Sequence, residues 1–200
     1  MRQLSLLELV VTKLPLPDVP GLAYVEEYVS AEEERALLEA IDREPWLTEW
    51  ARRRQIYGMS YGSAKADARI LGPLPAWVAP LAARVKREGF VADDVVNVVV
   101  NEYTPGQGIG LHHDFPGFGP TVVAVSLGSA CMLDLVDPES DRRRAVLDVA
   151  PRSLWVLGGE ARSRWMHGIA PRRADVIEGM KRPRGRRISI TMRTARRTDE

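Results

Sequence analysis

The chain has 200 residues, 45% of them hydrophobic and 28% charged, with a single cysteine and a formal net charge of +1. That is enough chain for one domain with its own core. One cysteine excludes an internal disulfide and points to a reducing, cytoplasmic setting. The apolar start "LSLLELVV" is broken by Glu8 and lacks a small-residue cleavage site, so neither a signal peptide nor a membrane span of about 20 residues is expected.

In chain order, residues 1–20 form a lead-in that ends in the Pro-rich "LPLPDVPG". "LAYVEEYV" reads as a short strand. "SAEEERALLEAID" opens with Ser30 and has Glu33 three residues on, a capping box. Ala36, Leu37, Ala40 and Ile41 form the apolar stripe of a first helix. Residues 43–72 show no clear periodicity, and a stretch of that length is often a functional loop or lid. Residues 74–89 read as a second helix, with Trp77, Leu81 and Val85 at helical spacing, Gly89 as its stop and Pro80 near its start. From there the pattern is of strands, at 95–103, 121–128, 131–136, 145–150, 153–159 and 187–193, separated by Gly, Pro and Asp turns. Helices followed by antiparallel-looking strands suggest an α+β chain, a β-sandwich or jelly roll with supporting N-terminal helices.

Charge is unevenly distributed. Residues 1–50 hold 4 basic and 11 acidic side chains, and residues 151–200 hold 13 basic and 5 acidic. The basic C-terminal quarter, including "KRPRGRR", and the "RRR" runs at 52–54 and 142–144 are compatible with a phosphate backbone as partner, or with a solvated basic face.

Two of the three histidines sit together in "GIGLHHDFPGFG". On a strand, residues i and i+2 share a face, so His112 and Asp114 point one way and His113 the other. Such a His-x-Asp pair is two-thirds of the facial triad that binds non-haem Fe(II), and His167 is the one histidine left to complete it. By itself the pair also fits an ordinary polar loop. In "RISITMR", Arg187, Ser189, Thr191 and Arg193 share one face, while Ile188, Ile190 and Met192 share the other. The two arginines lie about 20 Å apart on an extended strand, and leaning together they suit the two ends of a small dicarboxylate. Solvent-facing arginines are the plainer reading.

Taken together, "NEYTPGQGIGLHHD", "VSLGS", "GGEAR" with "HGI", and the Arg-x5-Arg strand resemble the AlkB-type Fe(II)/2-oxoglutarate dioxygenases in type, order and spacing. Upstream, "PGLAYVEEYVSAEEERALLEAID" and "RRRQIYG" resemble the oxygenase domain of the branch that hydroxylates a modified wobble uridine in tRNA. The resemblance implies one oxygenase domain over 1–200, a jelly-roll core at 95–197 and a substrate lid at 43–72. It implies Fe(II) on His112, Asp114 and His167, with 2-oxoglutarate and O2 as co-substrates. Asn101, Tyr103 and Arg187 would bind 2-oxoglutarate, and Arg193 would lie near its metal-chelating end, acting through Asp114. His113 is not a ligand in this reading.

The implied reaction is oxidative dealkylation or hydroxylation of a modified base in single-stranded or flipped-out nucleic acid, by a monomer. Arg53, Arg54, Tyr57 and Tyr61 would contact phosphate and base, and Phe115 in "FPGFG" would stack. The same iron chemistry on a protein side chain or small molecule, and a non-catalytic nucleic-acid-binding jelly roll, are the competing readings.

Overall fold

The computed structural model describes residues 14–61, 68–140 and 144–196. Its elements run β1 (Leu22–Val25), α1 (Ala31–Arg43), β2 (Arg54–Tyr61), β3 (Ala68–Ile70), α2 (Ala79–Arg87), β4 (Val95–Tyr103), β5 (Ile109–His112) and β6 (Phe118–Gly128). They continue through β7 (Cys131–Val136), β8 (Arg144–Val149), β9 (Leu154–Leu157), α3 (Gly159–Ser163), β10 (Met166–Ile169), β11 (Ala174–Ile177), β12 (Met180–Pro183) and β13 (Arg187–Ala195). A seven-stranded sheet has the order β1-β9-β6-β13-β4-β2-β3, and a four-stranded sheet has the order β5-β10-β7-β8. These are the two sheets of a jelly roll. β11 and β12 form a separate hairpin. Among the described residues, no helix is long and apolar enough to cross a membrane.

Period-2 patterning decides which residues fill which layer. On β13, Ile188, Ile190 and Met192 are fully buried and pack with Val98 and Val100 of β4 against Ile41 of α1 and Val85 of α2. The opposite face of the large sheet meets the small sheet, where Ala124, Leu133, Leu135, Leu147, Trp155 and Leu157 form a second core. Both faces of β13 are therefore buried, and Arg187 is only 3% exposed. The solvent-facing reading of this strand does not hold.

The capping box of α1 is present in both directions: Ser30 Oγ accepts from the Glu33 amide at 3.1 Å, and the Ser30 amide donates to the Glu33 carboxylate at 2.7 Å. α2 is shorter than expected. It starts at Ala79, with Pro80 in its first turn, where the missing N–H would have had no helical partner. Residues 43–72 differ more. Arg54 to Gly58 pair with Asn101 to Asn97 of β4, and Met59 pairs with Ile70 of β3. The strand was hidden because its inward position is polar. Gln55 is buried and donates to the Ile41 carbonyl at 2.9 Å, so the usual apolar alternation is absent.

β5 and β10 were also not anticipated. Each has four residues, and each contains a glycine. A Cβ on Gly168 would lie 2.9 Å from the Ile109 carbonyl oxygen, and one on Gly108 would lie 2.2 Å from that of Ile169. Gly168 and Gly108, the residue just before β5, are what allow these two strands to approach.

Candidate active site

β4 and β13 pair with Arg187 opposite Tyr103, Ser189 opposite Asn101 and Arg193 opposite Asn97. This register gathers their polar side chains on the face that looks into the jelly roll. From the small sheet, β5 and β10 pair with His112 opposite His167. Between them lies a cavity of about 260 Å3, lined by both histidines, Asp114, Arg187, Arg193 and Trp155 among others.

The metal-type donors meet along one wall. The His112 and His167 rings are 4.4 Å apart, and His167 Nε2 is 3.5 Å from Asp114 Oδ2. Among the described residues these contacts are pairwise, and no three such side chains already converge on one point. Arg193 holds Asp114 Oδ1 through Nε at 3.0 Å and through Nη2, and its Nη1 donates to Asn97 Oδ1 at 2.9 Å. Asp114 Oδ2 is buried and has no hydrogen-bond partner.

The protonation states suit ligation. Burial pushes the Asp114 carboxyl up, but the Arg193 guanidinium and then His167 outweigh it and hold the group below the usual carboxylate range. Burial lowers His167 to about 4 against the opposing pull of Asp114, so it is a neutral imidazole at pH 7. His112 Nδ1 lies 2.9 Å from the Gly110 carbonyl, which only accepts. Its proton therefore belongs on Nδ1, leaving the Nε2 lone pair available. A buried unpartnered carboxylate oxygen beside the neutral His167 imidazole, with the His112 ring packed against that of His167, fits a divalent cation of the Fe(II) type.

The other end of the cavity suits an anion. Arg187 Nη2 donates to Ser126 Oγ at 2.6 Å, while its Nε and Nη1 are buried without partners. Its guanidinium lies 5.3 Å from the centre of the Tyr103 ring. A buried charge with two free donors is costly unless an acceptor arrives, and a carboxylate supplies one in fork geometry. Burial raises the Tyr103 phenol above its ordinary range against the pull of Arg187 and Arg52, so it stays protonated. Asn101 Oδ1 accepts from Arg52 Nε at 3.2 Å.

Of the residues expected to meet substrate, Arg54 and Phe115 line the cavity. Arg53 and Tyr57 do not. Arg53 pairs with Glu102, its Nη2 donating at 2.8 Å, and lies 4.4 Å from the Trp46 ring centre. Tyr57 donates to Gln55 Oε1 at 3.0 Å and stands edge-on to Trp77. The reason is strand alternation: with Arg54 facing the cavity, its neighbour and the residue three further on face the helices. Tyr61 ends β2, and its side chain lies outside the described residues. Three of the four "KRPRGRR" arginines are also occupied, Arg182 by Asp148, Arg184 by Asp175 and Arg186 by Asp42 and Glu102. Arg142 and Arg143 lie outside the described residues. His113 is exposed, its Nε2 3.0 Å from the Arg164 carbonyl.

Three contributors were not singled out from sequence. Arg52 lay hidden in its "RRR" run. Asn97 supports Arg193. Arg162, on α3, donates to the main-chain carbonyls of Asp114 at 3.1 Å and Phe115 at 2.8 Å. Its one signal was its place in "GGEAR", five residues before His167.

Residues 46–193 match the 2OG-Fe(II) oxygenase superfamily. The "Probable RNA/DNA demethylase ALKBH6" of Danio rerio is 30% identical over 87% of this chain and 85% of its own length. The "tRNA (carboxymethyluridine(34)-5-O)-methyltransferase alkbh8" of Xenopus tropicalis is 34% identical over 88% of this chain, which spans only 29% of that protein. The solved structure of OsALKBH1 superimposes with a TM-score of 0.63 at 18% identity, covering 88% of this chain and 99% of that one, a likeness of fold. On the family match and the near full-length relative, the chain belongs to the 2OG-Fe(II) oxygenase superfamily as an AlkB-type oxygenase, an enzyme that uses Fe(II), 2-oxoglutarate and O2.

Proposed function

We propose that this enzyme oxidatively dealkylates or hydroxylates a modified base in single-stranded or flipped-out nucleic acid. His112, Asp114 and His167 hold the iron in this reading. Arg187 takes the far carboxylate of 2-oxoglutarate, Asn101 and Tyr103 line its length, and Arg193 fixes Asp114. Iron and 2-oxoglutarate, when bound, supply the activation of O2 that hydroxylates a substrate C–H with release of succinate and CO2.

The protein's own part is placement. Arg193 and Asn97 keep the Asp114 carboxylate ionised and aimed, the His112–Gly110 contact sets the tautomer, and Trp155 and Ile169 keep the floor dry.

The observation that carries the substrate assignment is the rim. Arg54 lies 3.1 Å from the centre of the Trp50 ring, Arg52 stands beside it, and the Phe115 ring lines the same cavity. Guanidinium groups and aromatic faces around a small opening suit a base with its phosphates. The relatives named as an RNA/DNA demethylase and a tRNA-modifying enzyme agree with this reading.

The test is CO2 release from labelled 2-oxoglutarate, with a panel of methylated oligonucleotides, their unmodified twins, peptides and metabolites. A modified oligonucleotide is expected to stimulate turnover above its twin. Stimulation by a peptide or metabolite, and by no DNA or RNA, overturns the assignment and leaves the iron chemistry standing.

A further inference from the structure

A second depression adjoins the reaction cavity. It is a groove of about 650 Å3 on the outer face of the small sheet, and Arg52 and Ile109 line both. The register explains why it is open. Gly168 of β10 stands opposite Asp134 of β7 and is flanked by Gly110 and Leu111 of β5, so the middle of that face has no side chain. The groove crosses four strands, from β5 to Arg144 at the start of β8, about 14 Å at the usual spacing between strands. The loop at 170–172 walls one side, tied down by the Gly106 amide donating to the Arg172 carbonyl at 3.0 Å.

Its charge is distinctive. Arg52, Arg144 and Arg172 line it, and none has a carboxylate within ion-pair distance among the described residues; Arg52 donates to Asn101 Oδ1 and to the Gly108 carbonyl at 3.4 Å. Elsewhere in the basic half, Arg164, Arg182, Arg184 and Arg186 are each matched to an acid. The acidic residue in the groove is Asp134, one against three. Arg144 and Arg172 are exposed. Leu111, 43% exposed, adds an apolar surface beside them. Unmatched guanidinium groups along an open track attract a polyanion.

We propose that this groove carries the sugar-phosphate chain of a single-stranded nucleic acid on one side of the base being modified. Arg52 stands where the chain leaves the reaction cavity, and Arg172 and Arg144 hold successive phosphates beyond it. This rests on the nucleic-acid reading of the cavity and adds the path of the strand. A single strand fits better than a duplex, because it bends from the cavity onto the sheet face without unpairing.

The experiment measures binding of a fluorescein-labelled, methylated single-stranded 12-mer by anisotropy between about 50 and 200 mM salt, on wild type, Arg144→Gln/Arg172→Gln and Arg35→Gln. Arg35 is exposed on α1, away from the groove. Each phosphate contact contributes about 0.7 to the slope of log affinity against log salt for a single strand. The double variant is expected to bind roughly tenfold more weakly, with a slope shallower by about 1.4. Arg35→Gln is expected to follow wild type. Stimulation of wild-type turnover by the same 12-mer is measured in parallel. If the 12-mer stimulates turnover and the double variant keeps wild-type affinity and slope, the groove assignment is overturned alone. If no oligonucleotide stimulates turnover, the substrate assignment falls and the groove with it.

Discussion

Arg193 grips one oxygen of Asp114 and leaves the other bare. The guanidinium donates twice to Oδ1, while Oδ2, buried and without a hydrogen bond, points to within 3.5 Å of His167 Nε2. The carboxylate is thus held from behind, with its free oxygen presented to the His167 imidazole. Arg193 comes from β13, the central strand of the large sheet, and His112 and His167 from two strands of the small one. The site exists only where the two sheets face each other.

From this arrangement, alanine at His112, Asp114 or His167 is expected to abolish Fe(II)-dependent turnover. Affinity for Co(II), followed by its absorption spectrum, is expected to fall by more than the roughly 10- to 100-fold that an outer partner is worth. His113→Ala is expected to keep the metal, since its ring nitrogen is engaged with the Arg164 carbonyl. Loss of metal in His113→Ala with retention in His112→Ala would reverse the assignment.

Arg187→Ala removes the guanidinium whose Nε and Nη1 await acceptors. A lost charge-assisted fork costs about 2–3 kcal/mol, so the KM for 2-oxoglutarate is expected to rise roughly 30- to 150-fold. Steady-state kinetics with 2-oxoglutarate as the varied substrate gives the answer, and an unchanged KM would remove this role.

How far the molecule was legible depended on whether a single pattern governed a stretch. β13 was legible because polar and apolar residues alternate from Arg187 to Arg193, and β4 because five of its nine residues are valine. His112, Asp114 and His167 stood out because the chain has three histidines and two of them lie near one aspartate. β2 was obscured by buried Gln55, and β5 and β10 by glycines that serve close strand approach. Arg53 and Arg54 are adjacent in the sequence, yet one pairs with Glu102 and the other reaches the cavity. An arginine's neighbours in sequence do not reveal whether folding brings an acid to it, which is why the basic C-terminal run proved to be mostly matched.

Glu102 joins Arg53 and Arg186, and through Arg186 reaches Asp42 of α1. Burial raises its carboxyl, but the two arginines outweigh this and lower it below the ordinary range. A lowered folded value contributes stability that is present above the unfolded value of about 4.3 and is lost as pH falls through the folded value. Glu102→Gln is expected to destabilise by roughly 1–3 kcal/mol at pH 7, because it leaves Arg53 without its acid and Arg186 with Asp42 alone. The difference in urea midpoint between variant and wild type should shrink as pH drops below about 4. A difference independent of pH would show that the ion pairs are not its source.

Arg162 is the side chain that holds the Asp114–Phe115 segment in place. It reaches from α3, 9% exposed, to the carbonyls of Asp114 and Phe115, so one guanidinium fixes the residue offering the carboxylate and the residue offering a ring to the cavity. The turn beyond is tight as well, since a Cβ on Gly117 would lie 2.2 Å from the Phe115 ring. Arg162→Gln loses the fork and lets Asp114 drift. Affinity for Co(II) is expected to fall by roughly 10- to 100-fold, the range for a partner that orients a ligand without touching the metal. Arg162→Lys, which keeps the charge but not the fork, should recover part of it. Thermal melts of the metal-free proteins separate positioning from folding. If melting temperature falls in Arg162→Gln while metal affinity stays at the wild-type value, Arg162 supports the fold and not the site.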